Sequence, residues 1–151
     1  MSIENRLTEL GITLPDAPAP AANYVPFVQT GNLVFISGQI SQNEAGLITG
    51  KLGDAMSVEQ GAEAARRCGL ALIAQLKAAV GDLDRVKRVV KLTGFVNSTP
   101  DFTEQPKVVN GCSDLMVQVF GDAGRHARAA VSAPSLPLGV SVEIEAVFEI
   151  A

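Results

Sequence analysis

The clearest pattern of apolar and polar positions lies at the end of the chain. Val142, Ile144, Ala146, Phe148 and Ile150 alternate with Ser141, Glu143, Glu145, Val147 and Glu149. A period of two is that of a β-strand, so residues 140–150 are predicted to be a strand with one fully apolar face for helices to cover. Its other face carries three glutamates and a valine. Residues 127–132 are predicted to be a strand of the same kind. Ala127, Ala129 and Val131 form a small apolar face, with His126, Arg128, Ala130 and Ser132 opposite. Paired as a hairpin about Ser135 or Leu136, these strands would set Arg128 opposite Glu143 on the face without helices. The bland reading of that pair is a cross-strand salt bridge on a wet surface.

Upstream the period changes. Residues 3–11 read as a short helix ending at Gly11. Leu14-Pro-Asp-Ala-Pro-Ala-Pro20 holds three prolines and is predicted to be an extended connector. Residues 24–29 and 33–41 read as strands joined by the Thr30-Gly-Asn32 turn, and residues 47–50 are expected to continue that sheet. Ser57-Val-Glu-Gln60 is a capping box, in which the Ser and Gln side chains satisfy free backbone N–H groups. The helix it opens runs to Val80 and stops at Gly81, with Ala65, Leu72, Ile73, Leu76 and Val80 on one face. Residues 86–96 form the next strand. A second helix spans residues 102–120, with Pro106 in its first turn. The resulting order, β-β-α-β-α-β-β, describes an α+β domain with two main helices on one face of a mixed sheet. Residues 1–23 form an N-terminal helix and arm, and residues 24–151 the domain proper.

Composition narrows the class. The 151 residues are 47% hydrophobic and 19% charged, which suits one globular domain. No run approaches a membrane span, and the N-terminus lacks the pattern of a secretory signal, so a cytoplasmic protein is expected. The net charge is −4, and the 12 basic residues are scattered apart from Arg85-Val-Lys-Arg88. That is poor equipment for gripping a nucleic-acid backbone. Cys68 and Cys112 read as buried thiols, and the lone His126 has no second ligand beside it, so no metal site is expected.

The helix-free face is expected to be mixed: Phe35 with Ser37, and Phe95 with Lys91 and Thr93. With no chain left to cover it, another subunit is the natural cover. Here the residues resemble a family. Phe35-Ile-Ser-Gly-Gln-Ile40, Arg128-Ala-Ala-Val131, Leu136-Pro137 and Val142-Glu-Ile-Glu-Ala146 together are similar to the signature of the Rid (YjgF-type) family, formerly endoribonuclease L-PSP. The match runs in order from Tyr24 to Ile150. The resemblance implies a chorismate-mutase-like α+β fold and a homotrimer with a cavity at each subunit interface. It further implies cofactor-independent hydrolysis of 2-imino or 2-enamino acids to 2-keto acids and ammonia.

Carried over by position, Arg128 matches the arginine that binds the substrate carboxylate. A guanidinium suits that role because it offers two parallel donors and stays charged. Glu143 matches the catalytic acid that positions water or moves a proton; beside an arginine it is expected to be ionised. Tyr24, Ser37 and Asn110 match cavity residues, and the Ala130 backbone N–H would be a second carboxylate donor. The chain departs from the pattern at Ala130, where many members carry cysteine, and at Ser113, where an aromatic residue is frequent. Its arm before Tyr24 is also longer. Two other functions compete with the deaminase: a binding or regulatory module for a keto acid or another small carboxylate, and an endoribonuclease. The acidic balance and the single histidine argue against the last.

Overall fold

The computed structural model describes residues 1–19 and 22–151; Pro20, the last proline of the predicted connector, and Ala21 lie outside them. The chain runs α1 (Ile3–Glu9), β1 (Phe27–Thr30), β2 (Leu33–Ile40), β3 (Gln42–Asn43), β4 (Gly46–Leu47), α2 (Val58–Val80), β5 (Val86–Asn97), α3 (Gln105–Phe120), β6 (Ala127–Ala133) and β7 (Val142–Ile150). Five strands form one sheet in the order β1-β2-β7-β5-β6, and β3 and β4 make a two-residue hairpin beside it. Helices α2 and α3 pack on each other and on the same sheet face. No helix among the described residues is long and apolar enough to cross a membrane.

The strongest alternation in the sequence takes the centre of the sheet. β7 is antiparallel to both β2 and β5, and its inward residues Val142, Ile144, Ala146, Phe148 and Ile150 are buried under the helices. Both of its edges are hydrogen-bonded, and one whole face is dry. α2 begins as expected: the Ser57 side chain accepts from Gln60 N–H, and the Gln60 side chain accepts from Ser57 N–H. α2 and α3 approach closely because Gly111 faces the α2 backbone, where a Cβ would collide with the Ala62 carbonyl oxygen. Asn43, Gly46 and Leu47 turn into the small hairpin, and Thr49 bridges to Val140. The extension expected at residues 47–50 is thus a side hairpin and a single bridge. The strand expected from residue 24 starts at Phe27. Tyr24 precedes it, and the Pro26 carbonyl accepts from Ser37 N–H.

The expected hairpin of the last two strands does not form. β6 runs parallel to β5 on its far side, with Arg128 opposite Leu92 and Ala130 opposite Gly94. The reason is the crossover. α3 carries the chain from the end of β5 back to its start, so the next strand lies parallel to β5. The chain then passes over the end of β5 to place β7 between β2 and β5. The faces of β6 are therefore reversed from expectation. Ala130 packs against the core and Arg128 reaches α3, whereas Ala127, Ala129 and Val131 pair with Lys91, Thr93 and Phe95 on the helix-free face.

Candidate functional site

The residues singled out by sequence fall into two groups. The first surrounds a cleft of about 330 Å³ lined by Tyr24, Ser37, Gly38, Leu138 and Glu143, with Pro18 and Ala19 of the N-terminal arm at its edge. The arm is tied there by the buried Gln75 of α2, whose Nε2 donates to the Pro18 carbonyl at 2.6 Å. β2 makes the floor. Its pairing with β7 is interrupted between Ile36 and Gln39, so Ser37 and Gly38 form a bulge. Such an irregularity re-aims side chains at the cost of ladder bonds. The lost bonds are replaced: Ser37 N–H donates to the Pro26 carbonyl, and Ser37 Oγ donates to the Val25 carbonyl at 2.7 Å.

Glu143 lies over this bulge. A Cβ at Gly38 would coincide with the space of Glu143 Oε2 and lie 3.1 Å from its Cδ. The missing side chain at Gly38 thus makes the seat for the carboxylate. The Glu143 carboxyl group is pushed above the ordinary glutamate range, chiefly by burial and then by the charge of Glu145. Among the described residues no arginine opposes that shift. The expectation of a carboxylate kept ionised by Arg128 is corrected here, and the reason is the strand order. Arg128 is two strands from Glu143 and three residues along, roughly 14 Å by standard strand spacings, and it lies on the opposite face of the sheet.

The second group is built on α3 and the edge strand β6. Arg128 Nη1 donates to Asn110 Oδ1 at 2.8 Å and to Ser113 Oγ at 3.2 Å. Ser113 Oγ also lies 2.8 Å from His126 Nε2, and His126 Nδ1 lies 2.6 Å from the Gly124 carbonyl. Among the described residues no carboxylate lies within 4 Å of Arg128. Neutral oxygens hold one nitrogen of the guanidinium, and its charge is left for something else to meet. Ala130 follows on the same face, next to Gly94. Beneath them Cys112 is fully buried, and burial pushes its thiol up to about 12 despite the nearby Arg128 charge. It is a packing residue. Cys68, also buried, donates to the Val142 carbonyl.

Sequence reasoning missed Gly38, the Ser113–His126 contact and Leu138. Ser-Gly-Gln was visible as a motif, but only the return of β7 across it reveals what Gly38 accommodates. Leu138 is 71% exposed at the cleft rim and holds a left-handed φ of 59°, uncommon for a residue with a Cβ. The helix-free face carries Val28, Phe35 and Val131, exposed at 52%, 44% and 44%, beside Phe95, Lys91 and Thr93.

Comparison with known proteins gives this arrangement a context. Residues 4–149 match the family described as "YjgF/chorismate_mutase-like, putative endoribonuclease". The chain belongs to the YjgF family. Protein TCP17 of Trypanosoma cruzi is 53% identical over 146 residues, covering 95% of this chain and 91% of that protein. The 2-iminobutanoate/2-iminopropanoate deaminase of Dermatophagoides farinae is 31% identical, covering 90% of this chain and 92% of that one. The crystal structure of Atu1372 from Agrobacterium tumefaciens, a protein of unknown function, superposes with a TM-score of 0.91 at 50% identity and covers 99% and 92% of the two chains. The α+β fold with a mixed, mostly antiparallel sheet is thus the YjgF family's chorismate-mutase-like fold.

Proposed function

We propose that this YjgF-family chain is a homotrimer that hydrolyses 2-imino and 2-enamino acids to 2-keto acids and ammonia, in a cavity shared between subunits. The observation that carries this reading is the unmatched guanidinium of Arg128. A charge held in place by neutral partners, with no carboxylate partner among the described residues, is suited to a bidentate carboxylate. Glu143, whose pKa burial raises, is suited to move protons to and from the substrate. The two lie on opposite faces of one chain. A substrate can reach both only if the β6 edge of one copy meets the β1–β2–β7 face of another. The exposed Val28, Phe35 and Val131 support such an assembly.

In this mechanism Arg128 and the Ala130 N–H hold the substrate carboxylate, with Asn110 orienting the arginine and Tyr24 and Ser37 closing the cavity. The Glu143 carboxylate takes a proton from water as the oxygen adds to the imine carbon, and delivers it to the nitrogen to give the carbinolamine. Glu143 then takes the hydroxyl proton and passes it to the nitrogen as the C–N bond breaks, leaving the keto group and ammonia. An enamine first tautomerises to the imine. No cofactor is required, and the reaction needs no thiol at position 130.

The test generates 2-iminobutanoate in situ and follows its loss by semicarbazide trapping, with and without the protein. Accelerated loss that disappears in Arg128→Ala, with fold and mass unchanged, is the expected result. No acceleration by the native protein would overturn the deaminase, and keto-acid binding by calorimetry in that case would favour a carboxylate-binding module.

A further inference from the structure

We propose that His126 and Ser113 are positioning residues for Arg128, and that His126 does so by fixing which way the Ser113 hydroxyl points. With the imidazole neutral, the hydrogen bonds allow one consistent assignment. The Gly124 carbonyl can only accept, so His126 Nδ1, 2.6 Å away, carries the proton. In the neutral imidazole Nε2 is then a bare acceptor, and the Ser113 hydroxyl, 2.8 Å from it, must be the donor. With its proton committed to His126, the Ser113 oxygen turns its lone pairs to Arg128 Nη1 at 3.2 Å. The chain of donors therefore runs from Arg128 to Ser113, from Ser113 to His126 and from His126 to the backbone. Every link is directional, and the last is anchored on Gly124, which is buried.

Gly124 is a rigid anchor. A Cβ there would collide with the Met116 carbonyl of α3. The anchor thus belongs to the same helix-end packing that holds Ser113. Asn110, one turn earlier on α3, takes the same Nη1 at 2.8 Å. Two acceptors one turn apart on a helix fix the guanidinium plane, which a single acceptor would leave free to rotate. Without His126 the Ser113 hydroxyl is free to rotate and can point its proton at the arginine. The effect on function is through Arg128, so it should appear in substrate affinity rather than in the chemical step. That part rests on the deaminase reading; the hydrogen-bond assignment does not.

The experiment has one arm for each. His126 is the only histidine, so its ring nitrogens are identified without ambiguity in a two-bond proton–nitrogen spectrum of the 15N-labelled protein. At alkaline pH, where imidazole side chains are neutral, the expected tautomer is Nδ1–H, with an Nε2 resonance that moves in Ser113→Ala. An Nε2–H tautomer, or no response to Ser113→Ala, overturns the proposal whatever the protein's activity. In the second arm, 2-ketobutyrate affinity and the KM for 2-iminobutanoate are measured for Ser113→Ala, His126→Phe, their double variant and His126→Gln, whose amide oxygen can replace Nε2 as acceptor. Each single change is expected to weaken affinity by about threefold to tenfold, the range of one ordinary hydrogen bond, with kcat within about twofold of native. The double variant should be no worse than either single one, because both break one chain. His126→Gln should recover most of the loss. Multiplicative losses in the double variant, or His126→Gln no better than His126→Phe, would overturn the proposal. If the native protein neither binds nor hydrolyses these compounds, the deaminase reading falls and the tautomer arm alone decides.

Discussion

Replacing Gly38 by alanine should separate activity from stability. The added Cβ enters the space of the Glu143 carboxylate, 3.1 Å from Cδ and 3.2 Å from Cγ, besides the collision with Oε2. What it strikes is the end of a half-buried side chain, which can turn aside toward the cleft. A turn of about 30° off a rotamer costs about 0.5–1.5 kcal/mol. Gly38 does not hold a positive φ, so alanine fits its backbone. Exchanging glycine for alanine at such a site stabilises by about 0.4–1 kcal/mol through the unfolded chain. The two terms nearly cancel, and the thermal midpoint should move by only a few degrees. Catalysis has no such compensation. Misplacing a reacting group by about 1 Å can cost about 10²-fold, equivalent to about 2.7 kcal/mol of barrier. The expected outcome is kcat for 2-iminobutanoate lowered about 10²-fold, with little change in keto-acid affinity because Arg128 is untouched. Trapping kinetics, calorimetry and thermal melting on one preparation supply all three numbers. A kcat within about threefold of native would refute the claim that Gly38 seats the catalytic carboxylate, since a shift of that size is far below the expected ~10²-fold. A collapse of the melting temperature with proportional loss of affinity would make Gly38 a structural residue.

Five other outcomes are expected. Glu143→Gln should lower turnover by about 10²–10⁴-fold and leave keto-acid binding intact, because glutamine keeps the shape but loses the base. The acid limb of native kcat should lie above the ordinary glutamate value, since burial and Glu145 raise this group. For stability, a raised folded pKa favours the fold below the unfolded value and loses that contribution as pH rises through the folded one. Native protein should therefore melt below Glu143→Gln at neutral pH and converge with it in acid. Light scattering after gel filtration should give three times the 15.7 kDa chain mass, and a monomer at micromolar concentration would remove the shared cavity. Gly111→Ala should destabilise the fold by about 1–3 kcal/mol in denaturant melts, because its Cβ meets the Ala62 backbone, which cannot turn aside.

The sequence by itself determined most of the elements. The period-two run of residues 142–150, the Ser57–Gln60 capping box and the glycine after Val80 are local signals. Each acts through the backbone geometry of its own segment, so each is legible without knowing what lies beside it. The family signature was legible in the same way, and the family it indicated is the one the chain belongs to. What it could not supply was the pairing of distant strands. Which strand lies beside which is settled by where α3 returns the chain and by which strand buries the most apolar surface. Those are properties of the whole packing. The parallel placement of β6 turned Arg128 onto α3, gave it Asn110 and Ser113 as partners, and left Glu143 alone over Gly38. Charge pairing read from two strands in isolation assumed that they were neighbours. Only the tertiary structure decides neighbours, because a contact between segments distant in sequence is set by the competition of all the segments for one core.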